Sequence, residues 1–249
     1  MRGALLLLLL PLAGRCTVTV LNCQSVPGSL VQIDAGSGQV FGVAGGGGIV
    51  TLLGGVWSQL PGALTHVTVG PAGVWGVNIH QMIFGWNGAS WVQKPGGLMQ
   101  IDAGGVQYLA GVNANQGVFC LSSPNLAFNW PEIGGRMSYY SCGPLGCWAL
   151  NSTDDIHFRL GVSPGSCVGT GWQHVPGKLS VIEVGTDGSV YGVTRQGTAL
   201  RRDGITDLNQ TGVSWTELQY KCYKFRHVTY DLSLVWLITT EGAIFRCDV

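Results

Sequence analysis

The feature that most constrains the fold is a tryptophan that returns along the chain. Successive tryptophans are separated by 34, 39, 42 and 43 residues in the series Trp57, Trp91, Trp130, Trp172 and Trp215. A Pro-Gly pair follows Trp57 and Trp91 at the same distance. A recurrent segment of this length is the signature of a repeat architecture. Cys23 occupies the tryptophan position before Pro27-Gly28, which brings the number of units to six.

Each unit has the pattern of short β-strands. In the second unit, apolar and polar residues alternate over 64–69, a glycine-rich turn follows at 70–73, and a hydrophobic stretch at 74–77 ends on Asn78. Alternation with a period of two between turn residues predicts a β-hairpin. With a third strand and the Trp-led segment, each unit offers about four strands.

Six such sheets arranged around an axis predict an all-β fold, a six-bladed β-propeller over residues 17–249. One sheet cannot bury both of its faces, whereas radial packing of four to eight sheets can. A solenoid is the alternative, but closure of a ring leaves fewer exposed strand edges. We expect an N-terminal strand at Cys23 to complete the last blade, and a disulfide with Cys247 to lock the ring.

Composition and the first residues narrow the class of protein. Lys and Arg number 13 and Asp and Glu number 13, so the formal net charge is zero; with no basic stripe, nucleic acid is a poor partner. Residues 1–16, with Arg2 before a short leucine-rich run, have the pattern of a signal peptide. That run is too short for a membrane span, and no later stretch qualifies. We expect a secreted, extracellular chain that begins between Arg15 and Asn22.

A secreted chain can keep disulfides and carry sugars. Cys16 leaves with the signal peptide, so seven of the eight cysteines remain. A bridge Cys142–Cys147 across a Gly-Pro turn and a bridge Cys120–Cys167 between neighbouring units are plausible, which leaves Cys222 over. Metal binding by the first pair lacks a matching second pair. Asn151 and Asn209 each begin an N-glycosylation sequon, and Asn209 is the better candidate.

The sequence does not favour catalysis. It has no G-x-S-x-G, H-E-x-x-H or P-loop motif. A glycosidase needs two carboxylates that flank a pocket. Asp34 and Asp102 recur at the same place in their units, with Glu183 one place beyond, and such repetition suggests hydrogen bonding in turns. We expect a protein that is not an enzyme, with no required cofactor.

Asparagine and tryptophan are the repeated residues that suit a sugar ligand. Amides satisfy sugar hydroxyls, and indole faces stack on the apolar side of a pyranose. The candidate sugar-binding residues are therefore Asn78, Asn113, Asn151, Trp91, Trp130 and Trp172. Repeated tryptophan more often packs one blade on the next, and repeated asparagine more often satisfies turn backbone. The five histidines are interpreted as structural or solvated.

Three stretches resemble a known family. They are Val26-Pro27-Gly28-Ser29-Leu30-Val31-Gln32-Ile33-Asp34-Ala35-Gly36, Val74-Trp75-Gly76-Val77-Asn78 and Tyr139-Tyr140-Ser141-Cys142-Gly143-Pro144, which are similar to the tectonin-repeat lectins. The resemblance covers essentially the whole chain after the signal peptide. It implies a six-bladed propeller that binds N-acetylglucosamine (GlcNAc) and related glycans, and a role in egg protection and innate immunity through bacterial cell-wall sugars and lipopolysaccharide.

The resemblance also implies other properties. The pairs Cys23–Cys247, Cys120–Cys167 and Cys142–Cys147 look like family disulfides. Members commonly have a cysteine where this chain has Thr239, so Cys222 either stays free or bridges two chains. Homodimers occur, and calcium is linked to some members. A secreted lectin is the leading hypothesis; a propeller scaffold that binds protein and a glycosidase are the alternatives.

Overall fold

A computed structural model describes residues 18–106, 108–122 and 128–249. Every regular element in this part of the chain is a β-strand. The proposed signal peptide, residues 1–16, lies outside the described residues. In the described ranges, no helix has the length and apolar character needed to cross a membrane.

The strands form six sheets, and each sheet is one blade of a propeller. The first three blades follow the chain from inner to outer strand. Blade one consists of β3 (Gln32–Gly36), β4 (Gln39–Val43), β5 (Gly48–Leu53) and β6 (Val56–Ala63). Blade two consists of β7 (His66–Gly70), β8 (Gly73–Val77), β9 (Met82–Trp86) and β10 (Trp91–Gly97). Blade three has three described strands, β11 (Gln100–Asp102), β12 (Tyr108–Val112) and β13 (Val118–Ser122).

Blades four to six continue the same order. Blades five and six each contain one additional strand from the N-terminal part of the chain. Blade four consists of β14 (Tyr139–Gly143), β15 (Gly146–Leu150), β16 (Asp155–Leu160) and β17 (Gly171–Lys178). Blade five consists of β18 (Val181–Val184), β19 (Val190–Val193), β20 (Ala199–Asp203), β21 (Ser214–Gln219) and β1 (Val18–Val20). Blade six consists of β22 (Phe225–Asp231), β23 (Leu234–Thr239), β24 (Ile244–Asp248) and β2 (Asn22–Val26).

The ring is closed by the N-terminal strand, as the sequence predicts. Strand β2 pairs antiparallel with β24, so residues from the two ends of the chain share blade six. Within that pairing, Cys23 lies opposite Cys247 and forms a disulfide with it. The six-bladed propeller is therefore confirmed. Strand β1 also pairs parallel with β21 in blade five, which is a second attachment of the N-terminal segment to the ring and one that the sequence did not predict.

The repeated tryptophans join neighbouring blades. Four of them lie on outer strands, and Trp130 lies in the segment that takes the place of an outer strand in blade three. In four of them the indole N–H donates to a backbone carbonyl of the preceding blade, over 2.8–3.2 Å: Trp57 to Pro27, Trp130 to Pro95, Trp172 to Gly134, and Trp215 to Pro176. Trp91 lies beside Gly62 in the same arrangement, but its buried indole nitrogen has no partner among the described residues. The recurring tryptophan is thus a joint between blades.

A second joint repeats on the side of each blade where its second strand turns into its third. A backbone N–H at the entry to each blade donates to a carbonyl in that turn of the preceding blade, over 2.9–3.1 Å: Leu30 to Gly242, Leu64 to Gly47, Leu98 to Gln81, Met137 to Gln116, Leu179 to Asp154, and Phe225 to Gly197. All six donor residues have buried apolar side chains. Burial of such a side chain contributes about 1.5–3 kcal/mol, so the same contact stabilises every blade junction.

Two further disulfides lie within this frame. Cys120 on β13 of blade three bonds to Cys167 in the connection between β16 and β17 of blade four. Cys142 and Cys147 join the first two strands of blade four. Cys222 is exposed and free. The three bonded pairs are those that the family resemblance implies.

Candidate functional site

The turns between the second and third strands of the blades form one face of the propeller, here called the loop face. Each turn begins at an equivalent position, whose backbone N–H donates to the carbonyl four residues later. The six residues at this position are Ala44, Asn78, Asn113, Asn151, Thr194 and Thr239. The candidate sugar-binding asparagines thus share one structural role on one face.

Each of these asparagines holds its own turn together. The Oδ1 of Asn78 accepts the backbone N–H groups of His80 and Met82, both at 3.0 Å. The Oδ1 atoms of Asn113 and Asn151 accept the equivalent pairs of N–H groups at 2.9–3.0 Å. Asx turns of this kind explain the repetition. Contact of these residues with sugar stays a prediction.

The amide nitrogens differ in what remains available. The Nδ2 of Asn151 donates to Asp155 Oδ2 at 3.1 Å. The Nδ2 groups of Asn78 and Asn113 have no partner among the described residues, so both can donate to a ligand. The same comparison favours Asn209 over Asn151 for glycosylation, because the Asn209 side chain is engaged only through its Oδ1 in the described chain.

One junction on the loop face opens into a cleft, here called the blade-one cleft. It has a volume of about 500 Å³ and lies between the turns of blades one and two. Its lining consists of Val31, Val43, residues 44–47, residues 63–65 and residues 78–80. The turn of blade one is Ala44-Gly45-Gly46-Gly47, which carries almost no side chain at this junction. The cleft therefore combines a mostly apolar wall with the free amide of Asn78 and the His80 side chain.

The structure brings only one candidate sugar-binding residue into this cleft, Asn78. Trp91, Trp130 and Trp172 are partly buried at outer-strand joints, and their participation in sugar binding stays a prediction. Sequence reasoning did not single out the cleft residues Ile79 and His80 or the glycines of the blade-one turn. The signal that was available is that this turn alone replaces the asparagine or threonine with alanine and adds glycines.

A second concentration of polar groups lies in the central channel, where the first strands of the blades meet. One ring alternates acidic and hydroxyl side chains around the six blades: Asp34, Thr68, Asp102, Ser141, Glu183 and Thr229. Asp34 accepts the backbone N–H of Val69 at 2.7 Å and Asp102 that of Cys142 at 3.0 Å, each from the next blade. Both carboxylates join blades. Asp102 Oδ1 also accepts the N–H of Gly104 two residues later, at 3.1 Å, so the expected bonding in a turn is found at Asp102 but is not the main role of these groups.

Glu183 belongs to the same ring, which corrects the expectation that it lies one place beyond. In the strand pairing, Ile182 lies opposite Gly192, just as Ile33 lies opposite Gly42 and Ile101 opposite Gly111. Glu183 therefore follows its isoleucine at the same position as Asp34 and Asp102 follow theirs. Varying loop lengths hide this equivalence in the sequence.

Burial dominates the protonation of the channel. It raises the pKa of Asp34 to about 6 and the pKa of Asp102 to about 8, with the Asp34 charge adding to the second shift. Burial also raises the pKa of Glu183 well above its usual range. It lowers the pKa of His66 to about 4 and the pKa of His227 to about 3, so both imidazoles are neutral at pH 7. Since loss of hydration disfavours the charged form of each group, the channel tends toward neutrality.

The structure is a closed six-bladed propeller. Its candidate functional groups are the turn residues of the loop face and the polar side chains of the central channel. The tectonin domain matches residues 29–240, and the chain belongs to the tectonin family. It is 50% identical over 234 residues to fish-egg lectin from Cyprinus carpio, covering 91% of this chain and 98% of that protein. It is also 31% identical over 85 residues to the perivitellin-2 31 kDa subunit of Pomacea maculata, covering 34% of this chain and 28% of that protein.

Solved structures agree in fold at low identity. The propeller of YCF48 from Cyanidioschyzon merolae matches with a TM-score of 0.56 and 16% identity, covering 91% of this chain and 85% of that one. Virginiamycin B lyase from Staphylococcus aureus matches with a TM-score of 0.56 and 13% identity, covering 85% of this chain and 77% of that one. At such identities the likeness concerns the fold alone.

Proposed function

We propose that this chain is a secreted lectin that recognises GlcNAc-type glycans, including those of bacterial cell walls and lipopolysaccharide. The observation that carries the proposal is the blade-one cleft, read together with the similarity to fish-egg lectin over nearly the whole chain. We extend the proposal to a role in egg protection and innate immunity, which the resemblance to the tectonin-repeat lectins suggests. The proposal assigns no catalytic function to the chain.

The cleft has the two kinds of surface that an N-acetylated sugar needs. The wall formed by Val31, Val43 and residues 44–47 suits the acetamido methyl group and the apolar face of the ring. The free Nδ2 of Asn78 donates to a sugar hydroxyl or to the acetamido carbonyl. Pockets for small ligands are typically apolar with a few polar groups that fix orientation.

Equivalent positions on the loop face add further weak contacts. Asn113 presents the same free amide one blade further on, and several sites on one propeller gain by multivalency. An exposed Cys222 that bridges two chains would double the number of sites in a homodimer. Both features are part of the proposal.

The direct test is binding of the purified chain to immobilised GlcNAc, with free GlcNAc as the competitor. The matched variants are Asn78→Ala and Thr194→Ala. Each removes a side chain that accepts a backbone N–H in the turn between the second and third strands of its own blade, but only Asn78 lies in the cleft. We expect Asn78→Ala to weaken binding at least fivefold and Thr194→Ala to leave it unchanged.

Three outcomes would count against the proposal. A folded chain that binds no glycan on a broad panel is not a lectin. Binding to a protein partner that free sugars do not compete would favour the scaffold hypothesis, and release of product from a chromogenic glycoside would favour the glycosidase. Ile79→Ala, with the fully exposed Leu208→Ala as its control, then maps the cleft wall.

Calcium is a separate element of the proposal. Calcium takes oxygen ligands, and the acidic ring of the channel supplies three carboxyl groups. Each carboxyl oxygen of Asp34, Asp102 and Glu183 already accepts a hydrogen bond from the protein, so an ion there must compete with those donors. Addition of EDTA in the binding assay tests whether sugar binding requires calcium, and we expect it does not.

A further inference from the structure

One of the six connections between neighbouring blades departs from the repeat. In the other five, a glycine beside the connection packs against the tryptophan of the following blade: Gly28, Gly62, Gly96, Gly135 and Gly177. The sixth connection leads from β21 of blade five to β22 of blade six, whose outer strand carries Cys23 in place of the tryptophan. It is the sequence Tyr-Lys-Cys-Tyr-Lys at 220–224, here called the basic connection. Its composition therefore needs an explanation other than the repeat.

The two tyrosines of the basic connection have a structural role. Tyr220 and Tyr223 stack on each other with their ring centroids 5.9 Å apart, and both rings contact Phe245 at 4.9–5.0 Å. The Tyr220 hydroxyl donates to the backbone carbonyl of Cys23 at 3.3 Å. This aromatic cluster fills the joint that lacks a tryptophan, so packing is enough to explain the tyrosines.

The cations of this segment have no comparable role. Lys221, Lys224 and Arg226 are exposed, and none of them forms an ion pair within the described ranges. The Nζ of Lys221 lies 5.0 Å from the centroid of the Tyr220 ring. Residues 218–227 contain no carboxylate side chain. Three cations without a carboxylate partner are therefore concentrated in one short segment.

A cleft lies beside these cations, here called the basic pocket. It has a volume of about 360 Å³. Its lining consists of residues 197–199, 217–219 and 220–225. Lys221 and Lys224 both line it, next to the stacked tyrosine rings. Among its described lining residues the one carboxylate is that of Glu217, whose Oε1 accepts the side-chain amide of Gln219 at 3.0 Å. The pocket thus combines an excess of positive charge with an aromatic wall.

We propose that the basic pocket binds a phosphate monoester group carried by a glycan. Such a phosphate has a charge of about −1.5 to −2 at pH 7, which the ammonium groups of Lys221 and Lys224 match. Lysine binds phosphate as a point charge, so it needs no fixed fork geometry. Tyr223, which is 41% exposed, offers an aromatic surface to the sugar that carries the phosphate.

This inference rests on the proposed function for its biological ligand, because lipopolysaccharide carries phosphate groups on its sugars. The basic pocket lies on the loop face, where the backbone N–H of Phe225 donates to the Gly197 carbonyl in the blade-five turn at 2.9 Å. The blade-one cleft lies on the same face. Two weak sites on one face gain when a single ligand reaches both. The pocket would hold the charged part of a glycan whose GlcNAc-type ring occupies the cleft.

Two ion-paired cations on the same face supply the control. Lys178 pairs with Asp155 at 2.5 Å, and Arg195 pairs with Asp154 at 2.6 Å. The double variant Lys178→Gln/Arg195→Gln removes two positive charges from the loop face, as Lys221→Gln/Lys224→Gln does. Comparison of the two variants therefore separates the pocket from general attraction between the face and an anion.

The experiment measures binding of the chain to immobilised lipopolysaccharide before and after a phosphatase has removed its phosphates. We expect the wild type and the control double variant to bind the intact form about fivefold more tightly, which is the effect of two exposed ion pairs. Lys221→Gln/Lys224→Gln should bind both forms equally. Asn78→Ala should weaken binding of both forms by the same factor, because the cleft does not contact the phosphate.

Cys222 locates the ligand, because its free and exposed thiol lies in the pocket lining. In the monomeric chain, glucose 6-phosphate should slow alkylation of Cys222 by iodoacetamide, inorganic phosphate should slow it less, and glucose should have no effect. Equal protection by inorganic phosphate would reject a glycan as the ligand.

Equal binding of intact and dephosphorylated lipopolysaccharide to the wild type, or an equal loss in the two double variants, would overturn the proposal. If the wild type binds neither form, the proposed function fails, and alkylation of Cys222 then decides on the pocket alone. Protection by glucose 6-phosphate in that case supports a phosphate site, and its absence rejects one.

Discussion

The blade joints and the channel mouth, the end of the central channel where His66, Tyr139 and His227 meet, use equivalent positions in opposite ways. At the joints, the same residue types make the same contact in blade after blade, as the indole of Trp57 and the indole of Trp215 show. At the mouth, equivalent positions carry glutamine, histidine, tyrosine or valine. The joints are repeated because every blade packs on its neighbour through the same kind of interface. The mouth varies because its six side chains share one space on the axis, where identical residues are not needed.

This difference changes how a repeated residue is interpreted. Asn78 and Asn113 repeat because their Oδ1 atoms close equivalent turns, so repetition alone does not identify them as ligands. The candidate binding feature is a departure from the repeat, the glycine-rich turn at 44–47, which opens a cleft.

The largest expected effect is at the one joint without a tryptophan, where Cys23 forms a disulfide instead. Replacement of Cys23 and Cys247 by alanine should lower the free energy of unfolding by about 5 kcal/mol, because the bond closes a loop of 224 residues in the unfolded chain. The control is the Cys142/Cys147 double alanine variant, whose short loop predicts about 2 kcal/mol. Denaturant unfolding measures both, and equal losses would show that ring closure has no special weight.

The next effect compares a joint with the mouth. Trp130→Ala should cost about 3–5 kcal/mol, because it removes a large aromatic contact between blades two and three. Tyr139→Phe removes one hydroxyl at the mouth and should cost about 1–2 kcal/mol. Urea denaturation ranks the two variants, and a larger loss from Tyr139→Phe would reverse the assignment of the joints as the principal support.

A smaller effect concerns pH and the acidic ring. The pKa of Asp102 is about 8 in the folded chain against 3.8 for the free side chain, so its protonated form is favoured by folding. Its contribution to stability is complete below about pH 4 and is lost as the pH rises toward 8. Asp102→Asn keeps an acceptor for the Cys142 N–H and cannot ionise.

We therefore expect Asp102→Asn to gain about 2–3 kcal/mol on the wild type between pH 5 and pH 7, at about 1.4 kcal/mol per pH unit. Unfolding measured across this range in both proteins checks the sign. Parallel pH profiles would mean that Asp102 remains ionised in the channel. A Thr68→Ser variant, in the same ring but without a titrating group, controls for packing changes.

The smallest effect tests the indole hydrogen bond itself. Trp130→Phe and Trp91→Phe remove the same atoms, but only Trp130 donates its N–H to a described carbonyl. The first variant should lose about 1 kcal/mol more than the second. Melting temperatures of the two variants suffice, and an equal shift would show that the bond adds nothing to the packing.

The fold could be predicted from sequence because its determinants are local and periodic. The Trp-led strand and the period-two alternation recur in each unit, and Cys23 takes the tryptophan position before the first of them. The pairing of β1 could not be predicted, because three residues near the proposed signal peptide carry no pattern of their own. Blade three also departs from the repeat, since its Trp130 segment makes a single bridge, Phe119–Glu132, in place of a described fourth strand.

The sites were harder to predict because they depend on exact register and on distant residues. His66 and Tyr139 are 73 residues apart, and Tyr139 and His227 are 88 apart, yet all three meet on the axis. Loops of unequal length between them shift the apparent period, which is also why Glu183 was placed one position away from its ring. Asn78 could be predicted as a candidate, but the cleft beside it depends on the glycines of the neighbouring blade.

The central claim is that sugar is recognised where the repeat is interrupted, at the blade-one cleft. Amide chemical shifts of the isotope-labelled chain, followed during a GlcNAc titration, test it most directly. The account predicts saturable shifts centred on residues 44–47 and 78–80, with little change at the equivalent turn of blade five, residues 194–198. Shifts confined to the tryptophan joints or to the channel, or none at all in a folded sample, would contradict it.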